Sequence, residues 1–71
     1  MDNAMVKKNI EYFCKKQGIK ECNIIKCLEI SEEEYKNLFK NFEKPIPTEI
    51  LKKISKRLML PGVYELLKQI N

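Results

Sequence analysis

Tyr35, Leu38, Phe39 and Phe42 recur at i, i+3, i+4 and i+7, the spacing that lines one side of a 3.6-residue helix with apolar groups. Ser31 and Glu34 stand just before them as a capping box, the serine hydroxyl taking a backbone N–H and the glutamate reaching back to the cap. The pattern predicts a helix that opens at Ile30-Ser31 and turns its aromatic side to a core. Upstream, Ile24, Ile25 and Leu28 share one side of another predicted helix, from about Lys20 to Leu28, and only Glu29-Ile30 separates the two. Apolar faces this close in sequence must pack on each other and on a third element.

The same periodicity predicts three more helices. The first is capped by Asp2 or Asn3 and runs to Gln17, with Gly18 as the left-handed residue that ends it. Val6, Ile10, Phe13 and Cys14 form its buried stripe, and Lys7–Glu11 and Glu11–Lys15 are i, i+4 charge pairs. Asn41 to Pro47 reads as a loop, because each proline pushes the residue before it out of the helical region. A fourth helix starts near Pro47 or Thr48, suited to the first helical and the cap position respectively. It turns Ile50, Leu51, Ile54 and Leu58 inward, and Lys52, Lys53, Lys56 and Arg57 outward. Met59-Leu60-Pro61-Gly62 breaks it, and Pro61 can open a last helix carrying Val63, Tyr64, Leu66, Leu67 and Ile70. That face either caps the core or supplies a homodimer contact.

This order of elements resembles the lambda-repressor-like helix-turn-helix family of the Cro and Xre type over roughly Val6 to Leu67. The residues that carry the likeness are Gly18-Ile19 closing the first helix, Leu28 ending the second and Ile30-Ser31 opening the third over buried Tyr35 and Leu38. The Lys44-Pro45 loop, the phrase EILKKISKRL and a short final GVYELLKQI complete it. The resemblance implies an all-α, compact five-helix bundle, a single domain over residues 1–71 with the helix-turn-helix unit at about 20–42. It also implies a third helix that enters the major groove of double-stranded DNA. The chain departs from the family at Glu21, where a glutamine often braces a phosphate and the recognition helix. It departs again at Ile25, usually a small residue, at Glu29, usually the turn glycine, and at Glu32 and Glu33, where the family reads bases.

Charge sharpens that difference. The net charge is +4, yet Ile19 to Glu43 holds four lysines against six glutamates, a balance of −2, so the remainder carries +6. The reading segment is acidic and its supports are basic, the reverse of what phosphate attraction favours. With 71 residues the chain buries only about 60% of its unfolded surface, and five short helices rarely enclose the pocket an enzyme needs. There is no histidine, no C-x-x-C, and Cys22 and Cys27 diverge by about 140° around a helix, so neither metal nor cofactor is expected. Cys14, Cys22 and Cys27 read as small semi-buried side chains of a reduced, cytoplasmic protein without a membrane segment.

With the aromatic side inward, Glu32, Glu33, Lys36, Asn37 and Lys40 point out. Asn37 can pair with adenine, Lys36 with guanine, and a glutamate can accept only from cytosine N4. Lys20, Asn23, Asn41 and Lys44 fall at helix starts and loops that the motif sets beside phosphates. Two functions follow: a small transcriptional regulator that binds DNA, or a degenerate module of the same fold that binds another protein as an antirepressor or DNA mimic. In the second, Glu29, Glu32, Glu33 and Glu43 make the contact, with Tyr64, Leu66 and Leu67 as apolar support.

Overall fold

The computed structural model describes residues 3–40 and 44–68, which form five helices and no strand. They are α1 (Asn3–Gln17), α2 (Glu21–Leu28), α3 (Glu32–Lys40), α4 (Thr48–Arg57) and α5 (Tyr64–Leu67). Asp2, Asn41, Phe42, Glu43 and Ile70, given roles by the sequence pattern, lie outside the described residues. The chain is an all-α bundle in which α1 packs on α3 and α5, α2 on α3 and α4, and α4 on α5.

The core is the set the periodicity selects. Val6, Ile10 and Cys14 from α1, Ile24 and Leu28 from α2, and Tyr35 and Phe39 from α3 are buried with Leu51, Ile54 and Leu58. Phe13, Ile25, Leu38 and Ile50 pack against that core only half-buried, because each sits at the edge of its helix's apolar stripe. Ile46 is also buried, an aliphatic plug held between two prolines.

Helix ends follow local chemistry. Gly18 has φ 68°, Ile19 N–H donates to the Cys14 carbonyl at 2.8 Å and Gly18 N–H to the Lys15 carbonyl at 3.3 Å, the pair of hydrogen bonds of a Schellman ending. The same ending closes α4, where Met59 has φ 57° and Leu60 N–H reaches the Ser55 carbonyl at 2.9 Å. At the end of α2, Glu29 takes φ 58° and ψ 36° and donates its N–H to Lys26 at 3.2 Å. A left-handed backbone is unfavourable for a residue with a Cβ by roughly 1–2 kcal/mol. Glu29→Gly is therefore expected to stabilise the protein by about 0.5–1 kcal/mol, less than the full strain because glycine also loosens the unfolded chain. Urea midpoints of the two proteins measure it, and a lower midpoint for the glycine variant would show that the Glu29 side chain contributes more than its backbone costs.

Three sequence expectations are corrected at the helix ends. Pro47, with φ −54° and ψ 136°, is the cap and Thr48 the first helical residue, since Pro47 supplies the carbonyl that accepts from Ile50 at 3.1 Å and Leu51 at 3.2 Å. The last helix begins at Tyr64 and lasts one turn, so Pro61 does not open it. Asn3 lies inside α1 and is buried, where its Nδ2 donates to the carbonyls of Leu38 at 3.3 Å and Lys44 at 3.0 Å, tying α1 to both sides of the α3–α4 connection. Asn9, also buried, does the same for the last turn, donating to Leu66 O at 2.7 Å and Lys68 O at 2.6 Å. A helix of four residues cannot satisfy its own terminal carbonyls, and Asn9 supplies the missing donor.

Candidate nucleic-acid interface

The start of α3 is set by Ser31 and Glu34. Glu34 N–H donates to Ser31 Oγ at 3.0 Å and Ser31 N–H to Glu34 Oε1 at 3.1 Å, the reciprocal capping box read from the sequence. From there Tyr35 and Phe39 go into the core, their rings edge to face with centroids 5.0 Å apart. Because those two positions fix the rotation of α3, Glu32, Glu33, Lys36, Asn37 and Lys40 are all exposed, and together they line one shallow hollow. Lys36 reaches back one turn to Glu32 at 3.6 Å, with side chains 61% and 72% exposed. An exposed pair of this kind is worth at most about 1 kcal/mol and opens readily.

Asn37 also borders a second groove of about 370 Å³, shared with Glu34, Leu38, Lys44, Pro45 and Pro47. The Lys44 loop thus adjoins the exposed side of α3. Lys20 and Asn23 are exposed at the start of α2 and border neither hollow. Of the residues assigned to a dimer contact, Tyr64 is 53% exposed and Val63 and Leu67 are half-buried. For Leu66 the core-capping alternative applies and the dimer contact does not: at 0% exposure it belongs to the core of its own chain and presents no surface to a partner.

Beneath α3 lies a polar anchor that the sequence pattern did not reveal. One oxygen of Glu21, in the first turn of α2, accepts from Tyr35 Oη at 2.6 Å and also from Lys7 Nζ of α1. Lys7 Nζ sits 5.4 Å from the Tyr35 ring centroid and 5.8 Å from that of Phe39. The intrahelical pairs expected of Lys7 with Glu11 and of Glu11 with Lys15 do not form among the described residues; Lys7 turns inward to Glu21, where a half-buried carboxylate and two aromatic faces offer more than a solvated neighbour. The available signal was Tyr35 itself, since a tyrosine on a buried stripe needs a partner for its hydroxyl.

Burial raises the Tyr35 pKa well above its ordinary value of 10.0, and the hydrogen bond to Glu21 and that carboxylate's charge push the same way. Burial also raises Cys14 from 9.0, helped by Glu21. Cys22 and Cys27 are exposed, against the semi-buried expectation. Both raised groups hold their protons in the folded state while the unfolded chain releases them, so stability is complete below about pH 9 and falls as pH rises through 10. Melting temperature should decline over that alkaline window, and Tyr35→Phe should flatten the decline; an unchanged decline would assign it elsewhere.

Among the described residues no three metal-binding side chains cluster, and no helix is long and apolar enough to cross a membrane. No family model, curated protein or solved structure matches the chain.

Proposed function

We propose that this chain is a small DNA-binding transcriptional regulator of the lambda-repressor-like, Cro/Xre type, in which α2 and α3 act as a helix-turn-helix and α3 enters the major groove. One observation carries the reading: α3 is locked by its aromatic side, so Lys36, Asn37 and Lys40 stand out together on a rigid helix, with Lys44 beside them. Asn37 pairs with adenine N6 and N7, Lys36 with guanine, and Glu32 or Glu33 accepts from cytosine N4. Lys20, Asn23, Lys40 and Lys44 hold phosphates. The left-handed Glu29 gives the sharp turn that such a motif needs, and the inward pairing of Glu21 with Lys7 removes one acid from the groove side. Tyr64, Val63 and Leu67 offer a surface for the homodimer that a two-fold operator calls for.

A second reading is favoured by the three exposed carboxylates in the first turn of α3 and by the engagement of Lys36 with Glu32. On it, the same face binds another protein as an antirepressor or DNA mimic. Selection of bound duplexes from a random pool separates the two. The regulator enriches a short motif containing adenine and guanine steps, and Asn37→Ala relaxes it at one position, by about 1–3 kcal/mol against the wrong base. Failure to enrich any duplex at low salt would favour the protein partner.

A further inference from the structure

Where α4 gives way to the 60–63 turn, Lys52, Ser55 and Lys56 share one side of the helix and face Leu60, Gly62 and Val63 across a groove of about 310 Å³. Most of its lining is apolar: the side chains of Leu60 and Val63 and the stems of the two lysines. Lys52 and Lys56, i and i+4 on α4, are exposed and belong to no ion pair among the described residues. Ser55 is only 4% exposed, and its hydroxyl has no hydrogen-bond partner among the described residues. A buried hydroxyl without a partner is destabilising, and alanine would fill nearly the same space without it. Helix packing alone gives no reason for serine here.

We propose that this groove binds a small aliphatic carboxylate. The alkyl chain lies along Leu60 and Val63, the carboxylate sits between the Lys52 and Lys56 ammonium groups, and the Ser55 hydroxyl, enclosed while the groove is empty, turns to donate to a carboxylate oxygen. A simple inorganic anion would leave the apolar walls unused, and a neutral alkyl chain would leave both ammonium groups and the hydroxyl unused. The volume, near the low end for ligand sites, suits an unbranched chain of up to about eight carbons. This site shares no residue with the exposed side of α3 and does not depend on the proposed contact with DNA.

The test is NMR titration of the whole chain with octanoate, with acetate and octan-1-ol as separate arms, on the native protein, Ser55→Ala and the double variant Lys52→Gln/Lys56→Gln. Octanoate is expected to shift the amides of Ser55, Leu60, Gly62 and Val63 saturably and to raise the melting temperature, while acetate and octan-1-ol bind far more weakly. Ser55→Ala should be the more stable protein when empty, yet bind octanoate about tenfold more weakly, having lost a hydrogen bond to a charged group. The double variant should fold as before and bind more weakly still. The proposal is overturned if octanoate causes no saturable shift, if octan-1-ol or acetate binds equally well, if affinity is the same in the variants, or if Ser55→Ala destabilises the empty protein.

Discussion

Replacing Tyr35 by alanine is expected to leave most of the protein unfolded at room temperature. Tyr35 is the largest fully enclosed side chain among the described residues, and truncating an aromatic of this size in a core costs about 3–5 kcal/mol. A 71-residue chain has roughly 4–11 kcal/mol of total stability, and a small core puts it near the lower figure. The substitution also removes the Phe39 ring contact and strips Glu21 of the Tyr35 hydroxyl donor. Tyr35→Phe separates these contributions, since it keeps the ring and deletes only the hydroxyl. It should cost about 1–2 kcal/mol, the loss of a hydrogen bond to a carboxylate that Lys7 still holds. Urea denaturation followed by circular dichroism reads both. Equal losses for the two variants would mean that the polar anchor, and not the packing, decides where α3 sits.

The second large effect concerns binding rather than folding. Lys36→Glu with Lys40→Glu takes the charge of Glu32–Lys40 from −1 to −5 without touching a buried residue. Near phosphates each unit of charge is worth on the order of 1 kcal/mol before screening, so four units correspond to about a thousandfold loss of affinity for a selected duplex. Stability should change little, because both side chains are exposed. If the double variant binds the selected duplex as tightly as the native chain, α3 is not the element that meets DNA. A partner protein gripped through Glu32 and Glu33 should instead bind this variant at least as well.

Much of the fold was legible because apolar spacing fixes which side of each helix is buried. Tyr35 and Phe39 were read as inward and Lys36 and Asn37 as outward from the same interval of residues, and the capping box named the atoms that start α3. Less legible was what polar side chains do once helices meet. Asn3 read as a cap because asparagine caps helices, yet it is a buried bracket between α1 and the α3–α4 connection, a role that depends on contacts distant in sequence. Asn9 and Ser55 lie on buried stripes where a periodicity argument expects only apolar groups. Lys7 had a neighbour at i+4, but tertiary packing offered it Glu21 and two rings. Leu66 read as either core cap or dimer contact, and periodicity alone does not choose between them; α5 is so short that its one turn serves to close the core.

The candidate face divides along the same line. Its membership in Glu32, Glu33, Lys36, Asn37 and Lys40 follows from the helix period alone, and their joint exposure in one hollow agrees with it. The ion pair between Glu32 and Lys36, and the adjacency of Lys44 through Asn37, depend on side-chain placement and on the path of the loop. On the proposed contact with DNA both bear on affinity: the first has to open for Lys36 to reach a base, and the second supplies a cation that offsets the acids.

The salt dependence of binding to a selected duplex tests the central claim most directly. With Lys20, Lys40 and Lys44 on phosphates, the slope of log affinity against log salt should be about −3, so that affinity falls roughly 40-fold between about 50 and 200 mM salt. No detectable binding at the lower salt, or binding indifferent to salt, would contradict the assignment of this face to DNA.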